Sequence, residues 1–138
     1  MREKQAEKLI KLIARLKEEN DRYPVIVEGR KDEKALRRIG LFGIILRLDQ
    51  GDSIFNLCEA LREDHEKVLI LTDWDRRGGR LARALREGLK ANGISYDDDF
   101  RRQIAFLVRK EVKDVEGLPK LLSKLSGSAP NRRTKRND

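Results

Sequence analysis

Two aspartates one residue apart, Asp73 and Asp75, follow a short apolar run in the segment V-L-I-L-T-D-W-D-R-R-G-G-R. The run of Val, Leu and Ile predicts a buried parallel strand, and the basic, glycine-containing segment after it predicts the start of a helix. Both carboxylates therefore follow the carboxyl end of a strand, which is where ligands bind in open α/β sheets. Oxygen ligands in this position could hold a cation.

A third carboxylate occupies the same kind of position earlier in the chain. Glu28 ends the apolar run V-I-V and is followed at once by Gly29. If the two strands are parallel neighbours, Glu28, Asp73 and Asp75 point into one pocket, where they repel one another unless a cation sits between them. Mg²⁺ prefers oxygen ligands and is commonly held by one or two carboxylates and a phosphate. The sequence thus predicts a site for one or two Mg²⁺ ions, with Mn²⁺ as a substitute.

Glycines and basic residues around the carboxylates suggest contacts with phosphate. Gly78 and Gly79 open the helix after the aspartates, where backbone can approach an anion closely and the helix N-terminus attracts it. The candidate phosphate-binding side chains are Arg76, Arg77, Arg80, Arg30 and Lys31. For each of them, the alternative is that the side chain only solvates a helix surface.

Composition favours one globular domain with an anionic partner. The chain has 138 residues, with 32 Lys and Arg against 24 Asp and Glu and a net charge of +8. This balance favours nucleic acid, although the charges could simply solvate the helices. One cysteine, Cys58, excludes a disulfide framework, and the lone His65 cannot complete a zinc site. Abundant Glu, Lys and Arg with few Asn and Gln also resemble a heat-adapted composition.

The hydropathy pattern shows neither a membrane span nor a secretory signal, and this bears on where the protein is found in the cell. No run approaches the ~20 apolar residues that a membrane span needs. The N-terminal M-R-E-K-Q-A-E is too charged for a secretory signal. We therefore expect a cytoplasmic protein with no membrane partner.

Apolar residues recur at helical spacing in five segments, separated by four short apolar runs. Helices are predicted at 3–19, 30–39, from 54, from the glycines to 89, and after Asp114 to 125; strands are predicted at 24–28, 43–48, 67–73 and 103–108. The acidic segment 96–99 is expected to be a turn. Strands that alternate with helices predict an α/β fold with about four mostly parallel strands in right-handed βαβ units.

The same patterns suggest how the chain is organised. Residues 1–21 should form an amphipathic helix that packs on a single α/β domain at 22–125. Residues 126–138 lack an apolar stripe and are expected to be a flexible basic tail.

Two segments together resemble the Toprim domain family. They are V-I-V-E-G-R-K-D-E at 25–33, which carries Glu28, and T-D-W-D-R-R-G at 72–78, which is similar to the family pattern D-x-D-x-x-G. The resemblance covers residues 22 to about 110. The E-G-x-x-D element and V-E-G-L at 115–118 are most similar to the branch that matures 5S ribosomal RNA and to small stand-alone Toprim proteins of archaea.

The resemblance implies a Rossmann-like fold and a division of roles within the site. Asp73 and Asp75 would coordinate Mg²⁺, and Glu28 would be a general acid or base in nucleotidyl transfer or hydrolysis, as well as a possible ligand. Two positions depart from the family. Gly79 stands where several branches have an acidic residue, and Trp74 replaces a small residue or proline and is expected to pack in the core rather than stack on a base.

Other functions fit the sequence less well. Haloacid dehalogenase phosphatases place their D-x-D after the first strand, and response-regulator receivers need an acidic pair there. Topoisomerases and primases need large additional domains. What remains is a small magnesium-dependent nuclease acting on RNA or DNA, or a binding module that recruits nucleic acid with partner proteins and does not cleave it; the sequence leaves the oligomeric state open.

Overall fold

Residues 1–127, which the computed structural model describes, form six α-helices, a short 3₁₀ helix and four β-strands. In chain order these are α1 (Glu3–Asn20), β1 (Val25–Val27), α2 (Arg30–Arg38), β2 (Ile45–Arg47), α3 (Ile54–Leu61), β3 (Lys67–Ile70), α4 (Arg76–Ala91), β4 (Ser95–Asp97), α5 (Asp99–Val108), the 3₁₀ helix (Val115–Gly117) and α6 (Leu118–Leu125). Strands alternate with helices, so the predicted α/β fold is confirmed.

The four strands form one sheet in the order β2-β1-β3-β4, and every neighbouring pair is parallel. The chain moves outward from β1 to β2 and then returns past β1 to β3. The strand order therefore reverses between β1 and β3. In open α/β sheets the crevice beyond this switch point is the usual place for a ligand.

Helices cover both faces of the sheet, because alternate residues of the strands are buried on opposite sides. On one face Val25, Val27 and Leu69 pack with α1, α2, α5 and α6. On the other face Ile26 and Ile70 pack with α3 and α4. Helix α1 contributes a fully buried stripe that includes Leu9 and Leu16, so it packs against the sheet as the amphipathic pattern predicts.

The predicted fourth strand at 103–108 is wrong, and so is the predicted turn at 96–99. Residues Asp99–Val108 form helix α5, while the fourth strand is Ser95–Asp97. Phe100, Ile104 and Val108 are buried at a spacing of four residues, and Phe106 lies 66% exposed between them. The contiguous apolar run thus hides a helical stripe, whereas β4 has polar residues and joins the sheet only by pairing with β3.

The remaining boundaries differ by a few residues from the predictions. The first three strands are shorter at their ends, and Asp114 caps the 3₁₀ helix that leads into α6. Cys58 is fully buried, as predicted for a core residue. The predicted basic tail lies outside the described residues from 128 onward. Within residues 1–127, no helix combines the length and apolar character that crossing a membrane requires.

Candidate metal and nucleic-acid site

Glu28 and Asp73 meet at the switch point of the sheet. Glu28 follows β1, and Asp73 lies three residues beyond the end of β3. The Glu28 carboxylate is only 9% exposed; its Oε2 accepts a 2.9 Å hydrogen bond from the Asp73 backbone N–H. Its Oε1 accepts a 2.9 Å bond from Nη1 of Arg77 on α4. The glutamate thus links the ends of the two central strands to the start of a helix.

The Asp73 side chain is held from the opposite direction. Its Oδ1 accepts a 2.9 Å hydrogen bond from the Val115 N–H at the start of the 3₁₀ helix. The pKa of the Asp73 carboxyl is raised to about 7, mainly by burial and also by the nearby negative charges of Asp32, Glu28 and Asp114, while the Val115 hydrogen bond opposes the shift. No ion pair within residues 1–127 includes this carboxylate. Its Oδ2 is not used by any hydrogen bond within the same range.

Asp75 is the N-cap of α4 and is exposed to solvent. Its Oδ1 accepts a 2.6 Å hydrogen bond from the Gly78 N–H, one of the backbone donors that the first helical turn leaves unpaired. No hydrogen bond or ion pair of residues 1–127 uses Oδ2, so one oxygen serves the helix and the other faces outward.

Gly78 is required by a close approach within the protein. A Cβ atom at this position would lie 1.8 Å from the Asp73 carbonyl oxygen. The Thr72 hydroxyl, which is buried, donates a 2.8 Å bond to the Gly78 carbonyl and fastens the helix to the strand end. Gly79 and Gly29 are less restricted, because an added Cβ would have no neighbour closer than 3.8 Å and 3.5 Å, respectively. Gly78 therefore allows the close approach that fixes the Asp73 backbone, and the phosphate approach predicted for it stays a prediction.

Asp32 is a site residue that the sequence reasoning did not assign. It lies on α2, one helical turn after Glu28, and is only 5% exposed; its Oδ2 accepts a hydrogen bond from the Gly29 N–H. The pKa of Asp32 is raised to about 6, mainly by burial and also by the charges of Glu28, Glu116 and Asp114, while the Gly29 hydrogen bond opposes the shift. The E-G-x-x-D spacing was a usable signal, since it places a second acid one turn beyond the glutamate.

Arg101 is a second residue that was missed. From α5, its Nη2 donates a 2.8 Å bond to the Asp73 carbonyl, and its Nε donates a 3.0 Å bond to the Thr72 carbonyl. These bonds fix the backbone from which the Asp73 carboxylate projects. Burial lowers the pKa of Arg101. No local signal marks this arginine, because it lies between the predicted turn at 96–99 and the predicted strand at 103–108.

The predicted phosphate-binding residues have unequal surroundings. Arg77 is 69% exposed and forms the ion pair with Glu28. The others, Arg76, Arg80, Arg30 and Lys31, are exposed, and no ion pair of residues 1–127 includes them. Trp74 packs against the core as predicted, and its indole N–H donates a 3.1 Å bond to the Val112 carbonyl.

The carboxylates of the candidate site could supply some, but not all, of the ligands of a Mg²⁺ ion. Within the described part of the chain, no group of three or more acidic, His or Cys side chains is close enough to hold a metal ion by itself. The predicted convergence of Glu28, Asp73 and Asp75 is thus not assembled in this structure. However, Asp32 is buried and Asp73 is half-buried beside other acids, no ion pair of residues 1–127 includes either carboxylate, and Mg²⁺ needs only one or two protein carboxylates. The donor set therefore fits Mg²⁺ completed by water and phosphate.

Comparison with known proteins finds one family model and several relatives that match most of the chain. The family model for the Toprim domain matches residues 24–107, which include Glu28, Asp73 and Asp75. A UPF0292 protein of Methanosarcina barkeri is 37% identical over 123 residues, which cover 88% of this chain and 85% of that protein. A UPF0292 protein of Pyrococcus furiosus is 38% identical over 112 residues, covering 81% and 82%.

A structural match supports the same grouping. A solved structure of a protein from Aquifex aeolicus superposes with a TM-score of 0.66 at 28% sequence identity. The match covers 77% of this chain and 94% of that one. The likeness therefore extends over nearly the whole of the solved chain.

Proposed function

We propose that this chain, which belongs to the Toprim domain family, carries out magnesium-dependent phosphodiester chemistry on nucleic acid as a small nuclease. The Toprim domain is a metal-binding fold associated with nucleic acids. The observation that carries the proposal is the partly buried Glu28–Asp73 contact at the switch point. There, the pKa of Asp73 is raised to about 7, and no Lys or Arg of residues 1–127 forms an ion pair with its carboxylate.

In this proposal Mg²⁺ would be held by Asp73, with Asp75 supplying its outward oxygen and with Glu28 beside them. The bound metal would stabilise charge that develops on a phosphate. Val115 and Arg101 orient Asp73 through its side chain and its backbone, respectively. Such fixed ligands reduce the reorganisation that binding requires.

Glu28 is the candidate for proton transfer. Its carboxylate is nearly buried and is held by the Asp73 N–H, so its position is fixed relative to the metal ligands. Arg77 covers its other oxygen, and that side chain is 69% exposed, so an incoming phosphate can reach it. A phosphate that pairs with Arg77 would release this oxygen of Glu28. The released oxygen could then accept or donate a proton.

The charges at the start of α4 support an anionic ligand. Arg76, Arg77 and Arg80 lie in or near its first turn, which contains no acidic residue. Cations at a helix N-terminus are unfavourable because the helix dipole is positive there. A nucleic-acid phosphate would offset both the dipole and these charges. We therefore propose that the nucleic-acid backbone crosses this end of α4, with Arg30 and Lys31 on α2 along the same edge.

A second candidate function is a metal-dependent binding module that works with partner proteins and does not cleave. One observation favours it. Each of the three carboxylates already accepts a hydrogen bond within the protein, and they do not form a three-ligand group within residues 1–127. Such a site could hold a metal and a phosphate without aligning a nucleophile.

One experiment separates the two functions. Wild-type protein, Glu28→Gln and the control Glu87→Gln, which alters an exposed residue of α4, are incubated with structured ribosomal RNA precursors and with DNA, in Mg²⁺ or chelator. A nuclease cleaves only with Mg²⁺, and Glu28→Gln lowers the rate by about 10²-fold or more while Glu87→Gln does not. Metal-dependent binding without cleavage by the wild type would support the module instead. If the wild-type protein neither cleaves nor binds any of these nucleic acids, both proposed functions are refuted.

A further inference from the structure

Strand β2 (Ile45–Arg47) lies at one edge of the sheet. Within residues 1–127 it pairs only with β1, in the register Val25 with Ile45 and Val27 with Arg47. The Val25 N–H donates to the Ile44 carbonyl at 3.0 Å, and the Leu48 N–H donates to the Val27 carbonyl at 3.0 Å. Because a parallel strand alternates its bonding direction, Ile45 and Arg47 point their N–H and C=O groups away from β1.

These outward groups are self-complementary. In an antiparallel pair, two directly opposed residues exchange both of their backbone hydrogen bonds. If a second copy of the chain approaches with its β2 antiparallel and Leu46 opposite Leu46, then Ile45 faces Arg47 of the second copy, and Arg47 faces its Ile45. All four outward N–H and C=O pairs are then satisfied by one two-fold arrangement. No other strand is needed to complete the edge.

We propose that two copies of this chain associate in this way through β2, so that their sheets form one continuous eight-stranded sheet. The interface is isologous, because the same strand serves both copies. This inference does not depend on the proposed activity. It concerns the edge of the sheet farthest from β4.

Apolar surface next to β2 supports the proposal. Phe42 is 78% exposed and Ile44 is 51% exposed, although both belong to the segment that leads into the strand. In the proposed register, Ile44 lies opposite Leu48 of the second copy. Pairing therefore covers apolar side chains as well as backbone groups, which a strand of three residues needs for a stable contact.

The two edges of the sheet differ in how they are protected. At the far edge, β4 ends in a run of three aspartates, Asp97 to Asp99, and such charges discourage pairing with another strand. β2 contains no Pro, Gly or Lys. Its single charge, on Arg47, is neutralised within its own chain by Asp49 at 2.9 Å and Glu33 at 3.6 Å. Two Arg47 side chains would therefore not oppose the pairing of two β2 strands.

The arrangement leaves both candidate sites open. Because the strands of the two copies run in opposite directions, their carboxyl ends lie at opposite edges of the joined sheet. Each copy could then bind nucleic acid at its own Glu28–Asp73 site.

Sedimentation of the full chain tests the proposal between about 1 µM and about 500 µM. We expect a concentration-dependent species of twice the 16.0 kDa mass of the chain. Ile45→Pro removes an outward N–H and shortens a side chain that packs on the core, but it keeps the β1 ladder, and proline is tolerated at such edge positions. It deletes two of the four intermolecular bonds, so the dissociation constant should rise about tenfold to hundredfold.

Ile44→Lys is a second variant that leaves the backbone intact and should also weaken the dimer. Phe106→Lys is the matched control, because Phe106 is another exposed apolar residue, at 66%, but lies on α5. Circular dichroism confirms that each variant is folded. A monomer at all concentrations overturns the proposal, and so does a dimer that Ile44→Lys leaves unchanged or that Phe106→Lys weakens equally.

Discussion

Replacing Asp73 with Asn should stabilise the metal-free protein at pH 8 and do so much less at pH 5. Burial and nearby acids raise the pKa of the folded-state carboxyl from 3.8 to about 7. A group with a raised folded-state pKa favours folding below its unfolded pKa and loses that contribution as pH rises. For Asp73 the loss extends from about pH 4 to about pH 7. Asn is uncharged, and its side-chain oxygen can still accept the Val115 N–H bond.

The magnitude follows from the two pKa values. Each pKa unit corresponds to 1.36 kcal/mol, so the full penalty at pH 8 is at most about 4 kcal/mol, of which less than half is already present at pH 5. The advantage of Asp73→Asn over the wild type should therefore grow by about 2 kcal/mol between pH 5 and pH 8. Asp32 shifts in the same direction but is present in both proteins, so its contribution largely cancels in the difference.

Urea unfolding in the presence of EDTA at both pH values measures this difference. Asp75→Asn is the matched control, because Asn and Asp are equally good N-caps and Asp75 is exposed. Its effect should be small and similar at both pH values. If Asp73→Asn changed the free energy of unfolding by the same amount at pH 5 and pH 8, the carboxylate would not carry the burial penalty assigned to it.

Three further outcomes are expected. In urea unfolding, Gly78→Ala should cost more than about 3 kcal/mol because its Cβ meets the Asp73 carbonyl, whereas Gly79→Ala should be neutral or stabilise by up to about 1 kcal/mol; equal effects would contradict the close-approach argument. Arg76→Ala and Arg80→Ala should each lower the salt dependence of nucleic-acid binding by a slope of about 1, and an unchanged slope would remove that arginine from the interface. The thermal midpoint should exceed about 60 °C, and a lower value would discard the heat-adapted interpretation.

The sequence predicted the central sheet because its strands are strongly apolar. β1 and β3 are buried on both faces, so Val25 to Val27 and Val68 to Ile70 form continuous apolar runs. β4 could not be found in this way, since Ser95–Asp97 is polar and depends on pairing with β3. The adjacent run at 104–108 is too short for its period to be recognised, and only tertiary packing shows that it is helical.

The site shows the same division between local and tertiary information. Motifs placed Glu28 and Asp73 at adjacent strand ends, and the family assignment made from those motifs is confirmed. The motifs could not show that one carboxylate oxygen of Asp75 would cap helix α4. They also could not show that Arg101 on α5 would donate a hydrogen bond to the Asp73 carbonyl. Both facts depend on how α4 and α5 approach the strand, which only the fold determines.

The acidic cluster is where this chain departs from what stability alone would favour. Asp32 is buried and Asp73 is half-buried near Glu28, no ion pair of residues 1–127 includes either carboxylate, and in each case desolvation is the main reason that the pKa is raised. At neutral pH this arrangement opposes folding, and apolar or amide side chains of similar size would avoid the cost. The supporting bonds from Val115 and Arg101 nevertheless hold Asp73 in place. The proposed divalent ion would offset this cost, since its charge would turn the repulsion among the carboxylates into attraction.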